Sequence, residues 1–185
     1  PFGGSSALGA LGYVRCAQEI TTQLAEQGVP PDTATVVCTA GSGGTQAGLV
    51  AGFAALGAPT RVQGMSVLFA QSPIEATVHA LANDTLALLG APPVPASAVA
   101  VNDAFIGAGY GIPTEEGLAA IDLVAQTEGL LLDPVYTGKT FAGLLALARR
   151  GAWQAGQAVV FVHTGGAPAL YAYGDAFDNH RAEAP

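Results

Sequence analysis

The sequence predicts an α/β fold: an open, mostly parallel twisted sheet with helices on both faces. Two observations carry this. Short runs rich in β-branched residues alternate with longer helical patterns, and glycine-rich segments recur where a run ends and a helix begins. A third sets the scale, since 185 residues of which half are apolar suffice for one well-buried core.

The first helix is expected from about Ser6, with Leu11, Val14, Ala17, Ile20 and Leu24 on one face, and Gly28 with Pro30-Pro31 stopping it. Thr35 to Thr39 reads as a buried strand. Glycine-rich Ala40 to Gly44 follows, then a small-residue helix from about Thr45 to Leu56 and a strand over Arg61 to Leu68. Ser72-Pro73-Ile74-Glu75 has the form of an N-cap serine, a first-turn proline and a capping-box glutamate, leading a stripe of Ile74, Val78, Leu81 and Leu88 that ends at Gly90. Ala91 to Pro95, with three prolines, reads as a connection within one domain because the α/β rhythm resumes after it. A short strand near Val99 to Val101 leads into the loop Gly107 to Pro113. Thr114, followed by Glu115 and Glu116, opens a helix to about Glu128. Leu130 to Leu132 reads as a brief strand, Lys139 to Arg150 as a helix and Ala158 to Val162 as a final buried strand. Gly165-Gly166 turns into a last helix from about Ala167. Residues 1–175 are thus expected to form one domain and 176–185 a polar, frayed tail.

A net charge of −8, with the arginines scattered apart from Arg149-Arg150, argues against nucleic acid or an anionic membrane surface as partner. With only 11% charged residues the surface is sparse, which suggests that a partner or further chain covers part of it. Every long apolar stretch is broken by glycine or polar residues, so neither a signal peptide nor a membrane span is expected. Cys16 and Cys38 lack CxxC or Cys/His spacing; two reduced thiols and a cytoplasmic setting follow, with no metal site. The chain begins at Pro1 and its sole methionine is Met65, so its start is expected to be a processed, cleaved or truncated end.

Ligands in such sheets bind where strands end and helices begin. Thr39-Ala40-Gly41-Ser42-Gly43-Gly44-Thr45 sits at such a place. Its glycines let several N–H groups converge, and the helix N-terminus adds positive potential, so the expected guest is an anion such as a phosphate. The plainer alternative is a tight turn packing a helix onto the sheet. The segment lacks GK[ST] and a strict GxGxxG, which weighs against nucleoside triphosphate and NAD. In Gly107-Ala108-Gly109-Tyr110-Gly111-Ile112-Pro113, Tyr110 either faces a ligand or anchors the loop. Asp133-Pro134-Val135-Tyr136-Thr137-Gly138-Lys139 contains the only lysine of the chain. His163 ends an apolar strand and is expected to be a buried, satisfied histidine rather than a general base; His79 and His180 suggest no site, and Cys38 belongs to the core.

Five motifs in order resemble one family: Gly3 to Tyr13, the Thr39–Thr45 loop, Gly109 to Pro113, Asp133 to Lys139, and His163-Thr164-Gly165-Gly166-Ala167-Pro168-Ala169-Leu170. Together they are similar to the D-cysteine desulfhydrase and 1-aminocyclopropane-1-carboxylate (ACC) deaminase family, fold-type II enzymes that use pyridoxal 5′-phosphate (PLP). The resemblance spans nearly the whole chain.

It implies roles for matched positions. Thr39, Ser42, Gly43, Gly44 and Thr45 would hold the cofactor phosphate, Tyr136 and Tyr110 would flank the ring and substrate, Thr137 would meet the pyridine nitrogen, and Thr164 and Gly165 would line the cofactor edge. Ser5 and Ser6 would approach the substrate, with Ser6 standing where the family pattern has asparagine. ACC deaminases carry glutamate where this chain has Thr137. A neutral hydroxyl leaves a weaker electron sink, suited to α,β-elimination with a good leaving group. The implied chemistry is conversion of D-cysteine to pyruvate, ammonia and sulfide, with ACC deaminase-like or cysteate sulfo-lyase-like chemistry, or a non-catalytic module binding PLP or another phosphate ligand, as alternatives. The resemblance places the Schiff-base lysine upstream of this chain, not at Lys139, so a missing N-terminal half or a complementing chain would supply it. A homodimer and a small amino-acid substrate are likewise implied.

Overall fold

Val36, Val37 and Cys38 are fully buried in the central strand β1 (Ala34–Ala40), as a strand covered on both faces requires. The computed structural model describes residues 2–183. Before β1 comes α1 (Ala7–Glu26). After it run α2 (Gly44–Ala55), β2 (Arg61–Ser66), α3 (Gln71–Leu88), β3 (Ala100–Asn102), α4 (Glu115–Glu128), α5 (Thr137–Arg149), β4 (Ala158–Phe161) and α6 (Gly174–Glu183).

All strand pairs are parallel and the sheet order is β3-β2-β1-β4. From β1 the chain steps to β2 and β3 in one direction, then returns past both to reach β4 on the other side of β1. Because parallel crossovers are right-handed, α2 and α3 lie on one face while the return through α4 and α5 lies on the other. The packing agrees. Helix α1 joins α2 and α3 over a core containing Val36, Leu49, Ile74 and Val78, whereas Leu118, Ile121, Val124 and Leu132 form a separate cluster beneath α4. Small residues let α1 and α2 approach closely: a Cβ on Gly52 would stand 2.6 Å from the Cβ of Ala17.

The α/β class and the element order match the sequence reading, and Thr114 caps α4 by accepting the Gly117 N–H, a bond worth about 1 kcal/mol. Five details differ. Helix α3 begins at Gln71 without a serine cap; Asp103, 32 positions away, accepts the Gln71 N–H at 2.8 Å, and Glu75 accepts from Val101 N of β3 instead of closing a capping box. Its stripe also drifts, burying Ala82, Thr85 and Leu86 and leaving Leu88 exposed. Leu130 to Leu132 is not a strand, and β4 is half-buried because it has a ladder partner on one side only. The expected frayed tail is helical through Glu183, where α6 places His180 Nδ1 at 2.7 Å from Glu115; residues 184–185 lie outside the described residues.

Candidate active site

The carboxyl ends of β1 and β4 open into a cleft of about 250 Å³. Its walls are Thr39, Gly41, Ser42 and Thr45 after β1, Tyr136 before α5, and Thr164, Gly165 and Gly166 after β4. The chain leaves β1 to one side and reaches β4 on the other, so the cleft sits at the topological switch point, the place where open α/β sheets bind ligands. Hollows of about 320 and 330 Å³ also open near the amino ends of the strands around Arg61, away from all the motifs.

The floor of the cleft is the turn into α2. Gly43 is the helix N-cap at φ +90°, a conformation that favours glycine, and a Cβ there would press on Val78 at 3.2 Å. The first-turn N–H groups of a helix have no intrahelical acceptor and attract anions. One of them, Gly44 N–H, donates to Ser5 Oγ at 3.2 Å, while Ser5 Oγ–H donates to Ser42 Oγ at 2.7 Å. Ser5 is therefore stitched into this turn. Ser6 is not: its Oγ caps α1 by accepting Gly9 N–H.

Thr39 lines the cleft but directs its proton inward. Thr140 Oγ1–H donates to the Tyr136 carbonyl at 2.9 Å, so in the 2.7 Å contact between the two hydroxyls Thr39 is the donor. Thr39 thus braces the turn of Tyr136, leaving Ser42 and Thr45 as the hydroxyls of the β1 loop with a donor free of that chain.

Asp133, fully buried, organises the turn before α5. Its Oδ2 accepts the N–H groups of Val135 and Tyr136, both at 2.9 Å, and its Oδ1 accepts Thr137 N–H at 2.8 Å and Thr137 Oγ1–H at 2.7 Å. The Asp133 N–H returns a bond to Thr137 Oγ1. Thr137, which the resemblance sets at the pyridine nitrogen, is fully buried behind the cleft, and its hydroxyl donates to Asp133. Gly166 packs against the same carboxylate, where a Cβ would meet Cγ at 2.6 Å, so Asp133 joins the Tyr136 turn to the loop after β4. The sequence reading gave Asp133 and Thr140 no role; an aspartate four residues before a threonine at a helix start is the signal that marks such a turn.

Tyr136 extends over Gly41, where a Cβ would lie 3.8 Å from its ring, and its hydroxyl bonds to that of Tyr110. The two rings meet edge to face with centroids 5.9 Å apart. That hydrogen bond, then burial, pushes the Tyr136 phenol up to about 12, so Oη keeps its proton at neutral pH. His163 is satisfied as expected, with Nδ1 accepting Gly165 N–H and Nε2 at 3.0 Å from the Leu131 carbonyl. It is exposed rather than buried, because β4 is the sheet edge. Burial pushes the Cys38 thiol up to about 12, which makes it an inert core residue.

A parallel sheet with a glycine-rich turn and a helix N-terminus at its switch point, roofed by an aromatic ring, has the form of an α/β ligand-binding domain. A sequence-family model described as pyridoxal-phosphate dependent enzyme matches residues 2–165, and the chain belongs to that family. It is 45% identical over 177 residues to a D-cysteine desulfhydrase of Serratia proteamaculans and 43% identical over 173 residues to one of Yersinia enterocolitica, each match covering 94% of this chain and 51% of the relative. The chain therefore spans about half the length of these relatives. A crystal structure of an ACC deaminase homologue superposes with a TM-score of 0.85 at 37% identity, over 96% of this chain and 52% of the other. A fungal L-serine ammonia-lyase from Rhizomucor miehei, at 21% identity and a TM-score of 0.57, shares the fold.

Proposed function

We propose that this chain is the cofactor-holding portion of a PLP-dependent lyase that acts on D-cysteine or a closely similar β-substituted D-amino acid. The observation that carries the reading is the cleft at the ends of β1 and β4, where the N-terminus of α2, free hydroxyls and the Tyr136 ring converge. The residues suit the cofactor. Gly43, Gly44 and Thr45 with Ser42 would receive the phosphate, Tyr136 would cover the ring, and Thr164 with Gly165 would border its far edge. Bound there, PLP supplies the electron sink for carbanion chemistry at the substrate α-carbon.

The chain's own residues do the rest. Tyr136 Oη holds a proton at neutral pH and shares it with Tyr110, which gives the cleft a proton source on a fixed ring. Among the described residues no carboxylate lines the cleft. The ring nitrogen would meet a neutral hydroxyl rather than a carboxylate, and this favours elimination of a good leaving group over opening of a cyclopropane. D-Cysteine and water then give pyruvate, ammonia and hydrogen sulfide.

Lys139 points away from this chemistry, so the covalent anchor belongs to the part of the relatives' length that this chain does not span, as an N-terminal half or a complementing chain. The assembled enzyme is read as a cytoplasmic homodimer. Cys16 and Cys38 are free thiols, and no helix among the described residues is long and apolar enough to cross a membrane. The test is an assay of the protein containing this chain, supplied with PLP and offered D-cysteine, L-cysteine or ACC. Equal yields of sulfide and pyruvate from D-cysteine support the reading; faster turnover of ACC to 2-oxobutanoate, or none of D-cysteine, overturns it.

A further inference from the structure

Lys139 is the only lysine in the sequence, and it is fully buried. Its stem leaves the first turn of α5 and passes α4 beside Gly117, where a Cβ would lie in ordinary contact at 3.6 Å from Lys139 Cγ. The ammonium ends on two backbone carbonyls, Ile106 O at 2.6 Å and Gly109 O at 3.0 Å. A buried ammonium is expensive unless its protons find acceptors. These acceptors lie on the loop that carries Tyr110, and Tyr110 is the hydroxyl partner of Tyr136, three residues before Lys139. The lysine therefore ties together the two segments that present the tyrosine pair. In that loop Gly107 and Gly111 have positive φ and Tyr110 is 45% exposed, while the Tyr173 hydroxyl donates to the Gly111 carbonyl at 2.7 Å.

We propose that Lys139 is a positioning residue, whose ammonium clamps the loop from Ile106 to Gly109 and so holds Tyr110 against Tyr136. It touches neither cofactor nor substrate. Its catalytic significance rests on the function proposed above; the clamp itself does not.

The first test uses the uniqueness of this lysine. In the chain labelled with 15N at lysine Nζ there is one resonance. A clamped ammonium exchanges slowly and gives a sharp signal at neutral pH, whereas a signal lost to rapid exchange with water overturns the proposal. The second is hydrogen exchange in Lys139→Met, which keeps the length and removes the charge. Amides of residues 106–111 are expected to exchange at least about tenfold faster, with α1 unchanged; unchanged loop exchange overturns the proposal. Should this variant fail to fold, the Nζ signal of the native chain still decides. In the assembled enzyme, K139M is expected to lower kcat by about tenfold or more with KM little altered, and Y110F combined with K139M should lose no more than Y110F alone. Losses that multiply would show that Lys139 does not act through Tyr110. An enzyme with no D-cysteine activity would refute the functional reading while leaving the resonance and exchange results to judge the clamp.

Discussion

Asp133 and Thr137 exchange three hydrogen bonds, from Thr137 N and Oγ1 to the Asp133 carboxylate and from Asp133 N back to Oγ1. This knot, buried behind the cleft, sets the direction in which Tyr136 leaves the backbone. Replacing Asp133 with alanine strands four donors in a buried site, those of Val135 N, Tyr136 N, Thr137 N and Thr137 Oγ1. A loss of about 3–5 kcal/mol is expected in urea unfolding, with Asp133→Asn losing less because its amide oxygen still accepts.

Tyr110→Phe removes the largest cause of the high Tyr136 value, their shared hydrogen bond. Folding raises this phenol from the ordinary tyrosine value of 10.0 to about 12, so as pH climbs through that window the unfolded chain ionises first and the native state loses stability. The variant should titrate closer to 10 in tyrosinate absorbance and show a shallower fall in stability over the same window. An unchanged titration would separate the pair.

Gly43→Ala places a side chain at φ +90° and against Val78. The expected cost is on the order of 1–3 kcal/mol by denaturant unfolding. Inorganic phosphate and PLP should also bind several-fold more weakly, because the turn aims the first N–H groups of α2.

Much of this was legible in the sequence, and what escaped has a common cause. Val36 to Cys38 and the glycines after them announce a buried strand and a tight junction through composition alone. The start of α3 was misread because its cap is Asp103, brought near by tertiary structure while Ser72 stays uncapping. The three leucines from Leu130 satisfy a strand pattern, yet Leu131 spends its carbonyl on His163 instead of a ladder. The motifs around the cleft could be read from the sequence, but their bonding could not: the hydroxyls of Thr39 and Thr137 face inward because Thr140 and Asp133 wait there, and no spacing rule conveys that. Lys139 drew attention as a lone lysine, and only its two carbonyl partners reveal what it holds.

The most direct measurement follows the amides of Gly43, Gly44 and Thr45 in the labelled chain by NMR while PLP, and separately pyridoxal without the phosphate, is added. PLP is predicted to shift these three amides, with inorganic phosphate competing and pyridoxal leaving them in place. Equal shifts from PLP and pyridoxal, or PLP shifts that bypass this turn, would contradict a phosphate cradle at the head of α2.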